Sequence, residues 1–269
     1  MSEVVDEGSV EDVIARRARW SLFKGDSYAL LRGLPDACLD AVVTDPPYSS
    51  GGQFRGDRNK LPSAKYVMTQ TKIDRAEFSG DNRDQRAFLA WCALWMGECL
   101  RATKPGGVLF AFTDWRQLPV MTDAVQVAGW VWRGVIPWHK VHSRPSLGRF
   151  TKVCEYVVWA SSGPHEPQVA KALPGFYEFQ VLPSDKHHMT GKPTDLMRAM
   201  ACILGPDSLV FDPFAGSGTT GVGALREGHR FVGVELTEGN YRQASERLQR
   251  WSFSDAEYIE LTKKFARRH

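Results

Sequence analysis

Residues 45–48 read Asp45-Pro46-Pro47-Tyr48, a carboxylate, two prolines and an aromatic ring in consecutive positions. Two prolines fix φ and remove two N–H donors, so the segment is stiff and presents carbonyl oxygens. A residue that precedes a proline is held extended, and Asp45 is such a residue. The result is a rigid acceptor set, the Asp45 carboxylate and the Pro46 carbonyl, with the face of Tyr48 beside it. Such a set suits an amine held through both hydrogens while its lone pair attacks an electrophile. Tyr48 can stack on the ring that bears the amine. A proline turn that merely ends a strand uses the same residues, so the tetrapeptide needs support from elsewhere in the chain.

That support lies far downstream. Gly216-Ser217-Gly218-Thr219-Thr220-Gly221 fits the pattern G-x-G-x-x-G, with Glu235 about twenty residues on to hold a ribose hydroxyl. Glycines there let the backbone approach a ligand closely, and the N-terminus of a following helix favours a negative group. The pattern implies a nucleoside cofactor and leaves NAD and S-adenosylmethionine both open. Position narrows the choice. Too few residues follow Glu235 to finish a dinucleotide-binding sheet, so the other strands come from upstream, an unusual order for a nicotinamide enzyme.

The elements that must position these residues are legible from periodicity. Seven strands are expected, at 20–24, 39–44, 108–112, 130–138, 153–160, 208–212 and 231–235. Helices are expected at 84–102, 118–128, 195–204 and 240–251. A capping box at Ser9-Val10-Glu11-Asp12 predicts a further short helix through about Arg19. The alternation predicts an α/β fold, a seven-stranded and mostly parallel sheet with helices on both faces. The hairpin-like pair at 130–138 and 153–160 puts one strand antiparallel. Asp45 then stands at the carboxyl end of a strand, where open α/β sheets place their sites. Residues 49–86 are rich in Gly, Ser, Arg, Lys and Asp and read as a long functional loop. Residues 161–187, with four prolines, read as irregular.

The ordered set of motifs resembles the DNA amino-methyltransferases, which make N6-methyladenine or N4-methylcytosine. It is similar to their permuted (beta-class) subgroup, in which the catalytic motif precedes the cofactor motif, and the resemblance covers about residues 20–250. The run Asp212-Pro213-Phe214-Ala215-Gly216-Ser217-Gly218-Thr219-Thr220 matches the family's cofactor loop, and Val232-Gly233-Val234-Glu235 its ribose-binding strand end. Lys24-Gly25-Asp26 matches the acidic position near the cofactor's adenine. His188-Met189-Thr190-Gly191-Lys192-Pro193 looks like the segment beside the methionine end, with Met189 in place of a proline. The resemblance implies a Rossmann-like methyltransferase domain spanning 1–269 that uses S-adenosylmethionine and flips a base out of double-stranded DNA. Asp26, Asp45, His188, Lys192, Asp212, Phe214, Gly216, Gly218, Thr219, Thr220 and Glu235 would contact the cofactor. Asp45, Pro46, Pro47 and Tyr48 would hold the base, and an aspartate in the first position favours adenine N6 over cytosine N4. Residues 49–86 would face DNA and 161–187 would form a small target-recognition segment. An RNA methyltransferase and a nicotinamide-dependent oxidoreductase are the competing expectations.

Composition permits this and excludes other classes. The chain has 269 residues and a formal charge of +3, mildly basic and compatible with a polyanion. Positive residues gather at 139–152 and along 49–86, where they could meet phosphates. Five cysteines without a Cys-x-x-Cys pair predict neither disulfides nor zinc. His139, His142, His187 and His188 lack acidic or thiol partners at ligand spacing, so no metal is expected. The acidic start (Glu3, Asp6, Glu7) and the lack of a membrane-length apolar run predict a cytoplasmic protein. Trp115 or Trp132, if exposed, could serve a homodimer face.

Overall fold

The structure, a computed structural model, describes residues 5–48, 83–141, 147–148, 150–170, 172–180 and 192–251. Nine strands form one sheet in the order β1-β2-β9-β8-β3-β4-β6-β5-β7. Seven are the expected ones: β2 (Ala18–Lys24), β3 (Leu39–Thr44), β4 (Thr103–Thr113), β5 (Val131–His139), β6 (Cys154–Ser161), β8 (Leu209–Asp212) and β9 (Arg230–Glu235). Two short edge strands, β1 (Val5–Glu7) and β7 (Tyr177–Glu178), were not legible in the sequence. They are too short for periodicity and exist only because β2 and β5 offer them an open edge. Every neighbouring pair is parallel except those of β6, which runs antiparallel to both β4 and β5.

Side-chain alternation explains the layers. Along β8, Leu209 and Phe211 enter one core while Val210 enters the other; along β4, Leu109 and Ala111 oppose Val108, Phe110 and Phe112. One face is covered by α1 (Val10–Ile14), α2 (Ser27–Gly33), α3 (Gln85–Ala102) and α4 (Leu118–Val127). The other is covered by α5 (Thr194–Ala201), α6 (Thr219–Arg226) and α7 (Glu238–Trp251). Helices on both faces keep the parallel strands dry, as such sheets require.

Three local expectations are corrected. The capping box forms, with Ser9 and Asp12 satisfying each other's backbone, but α1 stops at Ile14 and not near Arg19. Arg16 takes a left-handed φ of 61° and the chain enters β2, whose pairing with β9 outweighs helix propensity there. Helix α2, capped by Asp26, was not expected at all. The expected loop 49–86 ends earlier, because Asp84 caps α3 and Gln85 already lies on the helix. The remainder of that loop, up to residue 82, lies outside the described residues.

Candidate active site

Because β2, β3, β4, β5, β8 and β9 run parallel, their carboxyl ends share one edge of the sheet. Asp45 follows β3, the glycine loop follows β8, Glu235 ends β9 and Asp26 follows β2. The antiparallel β6 brings its amino end to the same edge, and with it Glu155. Lys192 arrives from the segment just ahead of α5. Topology alone gathers these groups.

The tetrapeptide is locked on both sides. Thr44, the last residue of β3, donates its hydroxyl to the Asp212 carboxylate at 2.7 Å. This bond ties the acceptor segment to the start of the glycine loop, 168 residues away in sequence. Asp45 Oδ1 accepts from the Tyr48 hydroxyl, and Oδ2 accepts from Lys192 Nζ at 2.6 Å. Lys192 also faces Glu155 Oε2 at 3.2 Å, and Lys140 Nζ donates to Glu155 Oε1 at 2.8 Å. The Lys192 ammonium lies 5.2 Å from the centre of the Tyr48 ring and 5.7 Å from that of Phe112, within cation–π range. The side chain of Lys192 is only 4% exposed, so its charge depends on these partners.

Burial pushes the Asp45 carboxyl above its usual range and Lys192 pulls it back only partly. Burial, with Asp45 beside it, also raises the Tyr48 phenol well above its usual value, so it remains a neutral donor. For Lys192, burial works against the charged form, but Asp45 and Glu155 win and its pKa is raised. Glu155, desolvated yet flanked by Lys192 and Lys140, sits below its usual value. The site thus holds two carboxylates and a protonated lysine between them.

The glycine loop is built with equal care. Gly216 and Gly218 have φ of 53° and 79°, a region that favours glycine. A Cβ on Gly216 would meet nothing closer than 3.9 Å, so the approach there is open. A Cβ on Gly218 would meet Ala244 of α7 at 3.1 Å, and one on Gly221 would collide with Leu248 and Phe231. The second glycine therefore admits a helix, where a dinucleotide site uses it to admit a pyrophosphate. Glu235 accepts from the Gly216 N–H at 3.0 Å and from Thr237 N and Oγ1 at 2.8 and 2.6 Å.

Other expected cofactor residues have clear local roles. The Asp212 carboxylate, 1% exposed, is held by Thr44, Thr220 and the Phe214 N–H, and burial raises its pKa to about 6. Phe214 packs its ring against Trp91 and Trp95 of α3. Thr219 accepts from Arg247 and Thr220 is buried beside Met197. Asp26 caps α2 through the Ala29 N–H at 3.1 Å and stands at the same edge. His188 lies outside the described residues. Sequence reasoning missed Glu155 and Arg247. Glu155 looked like one acid in a strand; Arg247, on α7, donates to Ser217 O, Ser217 Oγ and Thr219 Oγ1. An arginine at a core-facing helical position was the only available signal for the latter. Among the described residues no group of three or more His, Cys, Asp or Glu could hold a metal ion. No described helix is long and apolar enough to cross a membrane.

An α/β sheet that sets a stiff carboxylate segment beside a nucleoside-type glycine loop defines an enzyme that transfers a group to a bound amine. Residues 39–246 match the model of the N6/N4 DNA methylase family, and the chain belongs to that family. The methylase YubD of Escherichia coli (strain K12) is 29% identical over 227 residues, spanning 84% of this chain and 88% of that protein. Among solved structures, a DNA modification methylase of Thermus thermophilus complexed with S-adenosyl-L-methionine matches with a TM-score of 0.61 at 22% identity. That match covers 86% of this chain and 95% of the other. The cytosine-N4-specific PvuII DNA methyltransferase matches with a TM-score of 0.65 at 17% identity, covering 91% and 92%. These two likenesses bear on the fold.

Proposed function

We propose that this chain transfers a methyl group from S-adenosylmethionine to adenine N6 in double-stranded DNA, acting on a base flipped out of the helix. The observation that carries the proposal is the Asp45-Pro46-Pro47-Tyr48 segment, tied by Thr44 and Asp212 to the glycine loop. That tie places an amine acceptor and a nucleoside cradle on one rigid edge.

The residues fit the cofactor. Gly216 leaves its approach open, and Glu235, although it accepts three protein hydrogen bonds, keeps lone pairs for ribose hydroxyls, since a carboxylate has about four acceptor sites. Asp26 stands where an adenine would lie, and Lys192, with His188 just upstream, where the methionine end would lie. When bound, S-adenosylmethionine supplies a methyl carbon activated by a sulfonium leaving group. Asp45 and the Pro46 carbonyl accept the two N–H bonds of the target amine, which turns its lone pair toward that carbon. The N–C bond forms as the C–S bond breaks, the electron pair goes to sulfur, and the methylated amine passes a proton to Asp45 or to water. Tyr48 stacks on the base. Alignment and preorganised charge supply most of the rate, since no nucleophile of the protein takes part.

Partners follow from charge. Lys140 and Lys152, at the same edge, would meet phosphates of double-stranded DNA, with 49–86 and 161–187 reading sequence. A single domain spans the chain on this reading. Trp115 and Trp132 are exposed and available to a second copy in a homodimer. Cytosine N4 presents the same kind of amine and is the second reading, supported by the fold of the cytosine-N4-specific neighbour. Incubation with labelled S-adenosylmethionine and duplex DNA, then nucleoside mass spectrometry, decides between them. N6-methyladenine is expected, lost in Asp45→Ala. N4-methylcytosine alone would overturn the choice of base, and transfer to RNA only would overturn DNA as the substrate.

A further inference from the structure

We propose that Glu155 is a positioning residue for methyl transfer, holding Lys192 so that one oxygen of Asp45 stays available to the target amine. The inference rests on the reading of Asp45 given above. Four ionisable side chains form a line from the surface inward: Lys140, Glu155, Lys192, Asp45. The inner lysine is the critical one. With Asp45 as sole partner, a buried ammonium would settle across both carboxylate oxygens and cancel the charge that must stabilise the amine as it turns positive. Glu155 prevents this by offering a second carboxylate on the opposite side. Its Oε2 is buried, accepts no hydrogen bond of good geometry and faces Lys192 at 3.2 Å. Lys192 therefore stays on Oδ2 at 2.6 Å, and Oδ1 carries only the Tyr48 hydroxyl. When a base enters and Tyr48 turns to stack on it, Oδ1 passes from the phenol to the amine while Lys192 stays in place.

Several charged or titratable groups bear on Asp45. Lys192 precedes α5, Glu155 lies on β6, Lys140 follows β5, Asp212 ends β8, Tyr48 closes the tetrapeptide, and Asp114 follows β4 and acts through Tyr48. Glu155 is one of those that raise the Asp45 pKa. Its removal should therefore move the acid limb of the rate profile to lower pH even as the rate falls.

The test compares Glu155→Gln, which keeps shape and loses charge, with Glu155→Asp, which keeps charge and loses reach. Full-length protein is assayed for methyl transfer to duplex DNA across pH, with binding of S-adenosylmethionine by calorimetry and thermal melting. We expect kcat to fall on the order of 100-fold in Glu155→Gln and about 10-fold in Glu155→Asp, with cofactor affinity within about twofold of wild type. The acid limb should shift only in Glu155→Gln. A kcat within about twofold of wild type in Glu155→Gln overturns the proposal, as does an equal loss in both variants with no shift of the limb. If Glu155→Gln does not melt cooperatively, Glu155→Asp decides: unchanged kcat overturns the proposal, and reduced kcat with intact cofactor binding supports it. Asp45→Ala runs alongside. Full activity in that variant removes the underlying reading of the site, whereas a dead Asp45→Ala beside a wild-type Glu155→Gln removes only the role of Glu155.

Discussion

Asp45 can orient an amine only while its carboxylate is charged, and its surroundings set the pH at which that holds. Burial outweighs the pull of Lys192, so its pKa lies above the ordinary 3.8. Activity should therefore fall with acid at a higher pH than an exposed aspartate would give, seen as the lower limb of kcat/KM against pH. An Asp45→Asn variant should lose that limb and most of the rate, because an amide offers one acceptor in place of two charged oxygens. A variant with wild-type rate would mean that Asp45 serves only to end β3. At this scale the sequence was informative about residue types: the carboxylate, the prolines and the ring were legible as an acceptor set. It was silent about Lys192 as their partner, because 147 residues separate Lys192 from Asp45 and no local pattern links them.

Among the elements, α7 does more than close the fold. Its Ala244 and Leu248 press against Gly218 and Gly221, and its Arg247 holds the backbone between them. Arg247→Met would keep much of the packing but leave Ser217 O and Thr219 Oγ1 short of a donor. Loss of buried hydrogen bonds of this kind costs about 1–3 kcal/mol. The expected result is a lower melting temperature and weaker binding of S-adenosylmethionine by calorimetry, with a smaller change in kcat. Unchanged cofactor affinity would show that the loop holds its shape without α7. The glycine pattern itself announced a nucleoside site but could not say which. The contact of Gly218 with Ala244 is a tertiary fact, and it assigns that glycine to helix packing. Helix α1 makes the converse point, since a correct capping box was cut short by a strand that only the sheet could call for.

For the molecule as a whole, His229 sets an acid limit on stability. Its ring is buried, Nε2 faces the Ala201 carbonyl at 3.2 Å, and burial drives its pKa down to about 4 from the usual 6.5. Between those values the unfolded chain binds a proton that the folded chain refuses. Its contribution is complete above about pH 6.5 and is lost as pH falls toward about 4. Asp212 has the opposite sign: its raised pKa means its contribution is lost as pH rises from 3.8 toward about 6. Comparing wild type with His229→Gln, which keeps a donor for Ala201, isolates the histidine. The drop in melting temperature between pH 7 and 5 should shrink in the variant, and an equal drop in both would refute the assignment.

The sequence by itself determined the class of fold and the two motifs. Hydrophobic periodicity is a local property and survives without knowledge of the partner: all seven longer strands and the antiparallel hairpin were legible this way. Tertiary structure decided everything that depends on which elements lie side by side. The parallel order of the sheet brings Asp45, Gly216 and Glu235 to one edge, and the reversal of β6 delivers Glu155 to that edge. The buried position of Lys192 turns two distant acids into its shared partners. Charges far apart along the chain interact strongly only once the fold has removed the water between them, and no spacing in the sequence encodes that.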